Sequence, residues 1–395
     1  MAAKLPAEIL NVIFEYISDD IARDYDTDFP EDVFLLHERS SQSILAGCAR
    51  VCQRWRKPVE RILYRHLSIY DSYRLLSAVL TLDSRRNDLA RYVTSLKVRL
   101  ERRPADFPVD CLGDSLESLP NLRNYILDIR HCTDVYRLRL LPTERWNPLL
   151  RQLCLLIGSK RTGQERVQRL SRNRPLPLSI ETLMLSGIST GPNALNLPNL
   201  RRLAMDQLAL TDFSPGEESI CPKLEHLVLE NPDDVSIRRI LTSFGKQIRV
   251  LETYFDGLAD EESEGIIIDD EVQQCLPKLE ELVLSGDFSQ HELPHIPKSL
   301  KKLRWHGATD ASVITSFLDK LCSTSFLPSL TEFPTICMKE EARYRYPGVR
   351  KVHLRRATEA LFARGIKPPE NPCRPAWNEK MIFPRLGTPY VSVSG

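Results

Sequence analysis

Two short stretches of the chain carry residue types that could do chemistry. His291-Glu292-Leu293-Pro294-His295 matches the H-E-x-x-H pattern, in which two histidines one helical turn apart hold zinc beside a glutamate that activates water. That chemistry needs an unbroken helix through both histidines. Pro294 lies between them and Pro297 follows, which denies them a shared helical face. Gly187-Ile188-Ser189-Thr190-Gly191 matches G-x-S-x-G, the sharp strand-to-helix turn that exposes a nucleophilic serine for hydrolysis. An extended segment precedes it, but the stretch from Pro192 to Pro198 is too short for the helix that must follow. A turn between extended segments explains the glycines more economically, and a hydrolase using Ser189 stands only as an alternative. Cys48 and Cys52 sit four apart with no second pair at metal-ligand spacing, so core packing accounts for them better. No G-x-G-x-x-G or phosphate-binding loop occurs. The reading is of a chain with no catalytic residue, no metal and no cofactor.

The 395 residues carry 54 basic and 53 acidic side chains, a formal net charge of +1, which gives no overall pull toward nucleic acid or an anionic membrane. Any charged partner must meet a local patch. The basic cluster Arg151, Lys160, Arg161, Arg166, Arg169, Arg172 and Arg174 lacks the interleaved aromatic rings on which single-stranded bases stack, so no nucleic-acid partner is expected. Glu8 and Glu15 inside the first apolar stretch argue against a signal peptide, and no apolar run of about 18 residues implies a membrane span. Ten scattered cysteines and no N-x-Ser/Thr acceptor imply reduced thiols and a cytoplasmic or nuclear location.

What positions any site must come from the periodicity. Pro6 suits the first helical position, and Leu5, Ile9, Ile13, Phe14 and Ile17 then recur at helical spacing. A second helix is expected to put Leu45, Cys48, Val51, Cys52 and Trp55 on one side, and a third to begin near Pro58 with Val59, Ile62, Leu63 and Leu67. Three short helices ending by residue 68 make a small core that gains from a neighbour or a partner.

LPAEILNVIFEYI followed by LAGCARVCQRWRKPVERILYRHLSI resembles an F-box, in the form common in fungal proteins. The resemblance implies a three-helix module over residues 1–68 that docks a Skp-type adaptor, which in turn links to a cullin. It implies docking through Leu5, Pro6, Ile9, Leu10, Ile13 and Phe14, with Cys48, Val51, Cys52 and Trp55 in the second helix. An acidic insert at about 19–38 departs from a minimal F-box; a solvated loop is its simplest form.

Over residues 69–364 a phrase recurs with starts at Leu122, Leu150, Ile180, Leu200, Leu224, Leu279, Leu300 and Val349, and weaker copies start at Val93, Ile248 and Leu330. The spacing is loose, at about 20–30 residues, as in leucine-rich repeats. Leu119-Pro120, Leu197-Pro198, Cys221-Pro222, Leu276-Pro277, Leu327-Pro328 and Tyr346-Pro347 introduce several copies. Each phrase ends in alternation, which predicts parallel strands that send one set of side chains inward and the other onto an open concave face. The fold class expected is thus α/β: an N-terminal three-helix F-box followed by an irregular leucine-rich-repeat solenoid with a parallel concave sheet.

By this register the concave face carries Arg202, Ala204 and Asp206; His226, Val228 and Glu230; Glu281, Val283 and Ser285; Lys302, Arg304 and His306; and Lys351, His353 and Arg355. Its C-terminal end is basic and would suit an acidic or phosphorylated segment. Residues 365–395 are rich in proline and form either an extended tail or a cap on the last repeat. A leucine-rich repeat behind an F-box implies a non-catalytic receptor that delivers an unknown protein substrate to a ubiquitin ligase through the adaptor and cullin. A scaffold that binds the adaptor without cullin is the rival.

Overall fold

The computed structural model describes residues 6, 8–16, 44–69, 88–100, 116, 119–129, 146–157, 168–169, 176–189, 195–206, 209–210, 221–254, 270–285, 297–308, 311–338, 351–366 and 390–391. The chain divides into two compact units, Met1–Ile188 with Arg374–Leu386, and Ser189–Cys373 with Gly387–Gly395. Both mix helices with parallel strands, so the chain is an α/β protein.

Among the described residues the first unit opens with helices α1 (8–16), α2 (44–49) and α3 (Gln53–Leu63). Leu10, Phe14, Leu45, Val59 and Ile62 form their buried core, with Cys48, Ala49, Trp55 and Leu63 packed against it. The Phe14 and Trp55 rings meet edge to face at 5.5 Å, the arrangement their quadrupoles favour. The helix boundaries differ from those expected. A turn closed by Val51 N–H to the Cys48 carbonyl ends α2, Cys52 is extended, and α3 starts at Gln53, so Pro58 falls inside a helix. Its ring forfeits one bond to the Arg54 carbonyl, and the buried Val59 and Ile62 on the next turn outweigh that loss.

α3 leads into β1 (His66–Ile69), and β2 (Ser95–Arg99), β3 (Asn124–Ile129), β4 (Gln152–Ile157) and β5 (Thr182–Ser186) pair in parallel in chain order. The register puts Leu96, Tyr125, Leu153 and Leu183 in one row and Val98, Leu127, Leu155 and Leu185 in the next, all buried. Tyr125 stands where the other copies have leucine or its like, and burial pushes its hydroxyl far above the ordinary tyrosine pKa.

The second unit repeats the device with β6 (Arg202–Asp206), β7 (His226–Glu230), β8 (Val250–Tyr254), β9 (Glu281–Ser285), β10 (Lys302–Ala308) and β11 (Thr335–Met338), all parallel, and a short β12 (Tyr390–Val391) antiparallel to β11. Leu203, Leu227, Leu251, Leu282 and Leu303 share a row, as do Met205, Leu229, Thr253, Leu284 and Trp305. Helices α4 (Asp234–Phe244), α5 (Asp270–Cys275) and α6 (Ala311–Leu321) fill connections between strands. α4 is capped by Asp233, whose carboxylate accepts from the Ser236 N–H at 2.8 Å.

A local rule sets where strands begin. In Leu197-Pro198-Asn199-Leu200, Cys221-Pro222-Lys223-Leu224, Leu276-Pro277-Lys278-Leu279 and Leu327-Pro328-Ser329-Leu330, the N–H of the fourth residue donates to the carbonyl of the first. These are β-turns with proline at the second position, where its fixed φ is already correct. In the first three the next strand starts two residues later.

The expected last strand is corrected. Lys351, His353 and Arg355 lie on helix α7 (Lys351–Ala363), not on a strand. Six alternating residues cannot decide between strand and helix, and the Arg-Arg-Ala-Thr-Glu-Ala-Leu-Phe-Ala that follows favours the helix, burying Ala357 and Leu361 one turn apart. Gly365, at φ 74, ends the helix, with the Ile366 N–H donating to the Leu361 carbonyl, and the Arg364 side chain ties this end to the turn by donating to the Leu327 carbonyl. Residues 367–389 lie outside the described set, so the tail-or-cap expectation is unaddressed there.

Candidate functional site

Two surfaces stand out, one in each unit. On α1, positions 9, 12, 13 and 16 share a helical face by their three- and four-residue spacing. Ile9 is 47%, Val12 65%, Ile13 42% and Tyr16 72% exposed, and Ile44 and Val51 add further exposed apolar surface in the same small module. Among the residues expected to dock, Ile9, Ile13 and Val51 are exposed, as is Pro6, while Cys48, Cys52 and Trp55 are half-buried. Leu10 and Phe14, also expected to dock, are 1% exposed and fill the helical core. Leu5 lies outside the described residues. Val12, Tyr16 and Ile44 escaped the sequence reading, although helical spacing from Ile9 already points to the first two.

The second surface lies at the start of β6 to β10, where a cavity of about 380 Å³ opens among charged side chains. Two rows build it. Arg201, Glu225, Arg249, Glu280 and Lys301 occupy the residue before each strand and are joined by backbone hydrogen bonds in succession, from Glu225 N–H to the Arg201 carbonyl through Lys301 N–H to the Glu280 carbonyl. The signs therefore alternate from strand to strand. Glu280 takes the Arg249 guanidinium at 2.8 Å and the Lys301 ammonium at 3.2 Å, and these bonds hold its carboxyl below the usual range. The next row holds Arg202, His226, Val250, Glu281 and Lys302. Arg304 reaches Glu281 at 3.2 Å, and Lys302 reaches Glu332 at 3.4 Å.

Beneath the second row sits Glu252, which shares its cross-strand position with Val228 and Val283 and is buried with them. Its Oε1 is 2.5 Å from His226 Nε2 and 3.6 Å from an Arg202 nitrogen, and the Tyr254 hydroxyl donates to Oε2 at 2.7 Å. Burial pushes this carboxyl up, but the His226 bond and charge, the Arg202 charge and the Tyr254 hydroxyl together outweigh it and bring the pKa down to about 2. A fully buried carboxylate is tolerable only with such partners.

The face expected to be open is thus covered in its middle row: Ala204, Val228 and Val283 are buried. Openness belongs to the row before it. Of the residues expected on the concave face, Arg202, His226, Glu281 and Lys302 line the cavity. Asp206 is used locally, accepting from the Ala209 N–H at 2.9 Å, and Glu230 is half-buried at the far end of β7. The backbone of His306 is in β10. His353 Nδ1 lies 2.8 Å from Asp319 Oδ1, tying α7 to α6, and Arg355 pairs with Glu359 on the helix surface, so neither reaches the sheet face. Glu252 was overlooked because its copy of the phrase is broken by Thr253 at a leucine position.

Of the rejected motifs, His291 to His295 lie outside the described residues. Gly187 has φ 71, and a Cβ there would come within 2.1 Å of the Ile157 carbonyl oxygen, so close backbone approach requires this glycine. Among the described residues no helix is long and apolar enough to cross a membrane, and no group of three or more His, Cys, Asp or Glu could hold a metal ion. No family model matches the chain, and no curated protein matches it.

Proposed function

We propose that the chain is a non-catalytic receptor: the N-terminal helices dock a Skp-type adaptor of a cullin ubiquitin ligase, and the second unit's strands hold a protein target. The observation that carries the reading is the exposed apolar face of Ile9, Val12, Ile13 and Tyr16 on a helix whose other side, Leu10 and Phe14, already fills a core. Packing is satisfied without the outer face, and apolar surface left in water on so small a module is a surface for a partner. The F-box resemblance of the same residues names the adaptor as that partner. Rate enhancement in such a complex comes from bringing the target to a ubiquitin-charged enzyme carried elsewhere.

The test is binding of a purified Skp-type adaptor to the full chain. Ile9→Asp with Ile13→Asp should weaken binding by about 100-fold or more, because two apolar anchors are lost at the centre of the contact. Unchanged binding in a folded variant would remove the proposal. Co-purification of cullin with the wild-type chain separates a ligase subunit from a cullin-free scaffold.

A further inference from the structure

We infer that the cavity at the start of β6 to β10 is an anion site, taking a carboxylate or phosphate group of whatever the second unit holds; this rests on the reading of that unit as target-binding. The cavity is lined by five permanent cations, Arg201, Arg202, Arg249, Lys301 and Lys302, against three lining carboxylates, with His226 beside them; outside the lining, Glu252 pairs with Arg202 and Glu332 with Lys302. The carboxylates are largely spent. Glu280 is shared by Arg249 and Lys301, and Glu281 is taken by Arg304 from outside the lining. A guanidinium has five N–H donors and an ammonium three, so each of these cations can hold more than one acceptor oxygen at a time. A guest supplying several acceptor oxygens completes the set.

The floor is built for such a guest. Arg202, with a side chain only 8% exposed, and His226 are both tied to the buried Glu252, which is itself fixed by Tyr254. Their positions are set before anything binds, so little side-chain entropy is lost on association. The carboxylate beneath also explains how a buried arginine persists when the cavity is empty. Burial of Arg202 on one side and about 380 Å³ of space on the other leave room for a phosphate-sized group within reach of the cations.

Two probes distinguish the source of the anion in calorimetric titrations of the full chain: a hexaglutamate peptide, for a group borne on a polypeptide, and inorganic pyrophosphate, for a free ion. Saturable binding of either, reduced about tenfold or more by Arg201→Ser with Lys302→Ser, supports the site. Lys223→Ser with Lys278→Ser removes two cations outside the cavity lining and should leave binding unchanged. No saturable binding of either probe, or equal losses in both double variants, overturns the inference. Adaptor binding measured on the same proteins keeps the outcomes apart. A chain that binds adaptor but neither probe loses only this site, and one that binds a probe but no adaptor keeps the site and loses the ligase role.

Discussion

The Glu252 carboxylate lies beneath the His226 imidazole, 2.5 Å from its Nε2, at a cross-strand position that the flanking strands fill with Val228 and Val283. A charge in an apolar row costs solvation, and here its partners return more than the burial takes.

Stability should fall in acid through this residue. Glu252 is held near 2 against an ordinary value of 4.5. A depressed carboxyl contributes its full stabilisation above the ordinary pKa and loses it as pH drops from there through about 2. The contribution is of order 3 kcal/mol at most. Denaturant unfolding of the wild type and of Glu252→Gln between pH 7 and pH 2 checks this: the variant should be less stable at pH 7 and should show a shallower decline. Parallel curves would contradict it.

The two sides of α1 should separate in unfolding experiments. Leu10→Ala empties part of the core and should cost about 2–5 kcal/mol. Val12→Ser, on a side chain 65% exposed, should change stability by less than about 0.5 kcal/mol while weakening adaptor binding. Thermal melts and adaptor titrations on the same proteins give both numbers.

Gly187→Ala should destabilise by about 1–3 kcal/mol or more, since the residue is at φ 71 and its Cβ would collide with the Ile157 carbonyl. Ser189→Ala, two residues on, should fold as the wild type does and show the same absence of reaction with a fluorophosphonate. Labelling of the wild type that disappears in Ser189→Ala would revive the hydrolase.

Leu361→Ala on α7 should cost about 2–5 kcal/mol because the side chain is wholly buried. Arg355→Ser, exposed on the same helix, should leave both stability and any target binding as they were. Loss of target binding in Arg355→Ser would return this residue to the binding face.

Most of the sheet could be read from the sequence because its signal is redundant. Leu203, Leu227 and Leu282 each follow a start residue by three positions, and prolines at 198, 222 and 277 mark the turn before them. Two things were less legible. Alternation tells which side chains share a face but not whether that face is open, so Val228 and Val283 were expected at the surface and are buried. Long-range ion pairs leave no local trace either. Nothing near Arg202 announces Glu252, fifty residues away, and only the oddity of a charge between leucine-ladder positions could have raised it. At α7 two periodicities competed, and the longer one won.

Because proline at 198, 222 and 277 sets the bend five residues ahead of Leu203, Leu227 and Leu282, each of these three strands carries its own starting mark. The connectors need not measure anything. Shortening one of them by a residue would leave each leucine on its side of the sheet, whereas removing a single residue between Pro222 and Leu227 would turn β7 over and bring His226 away from Glu252.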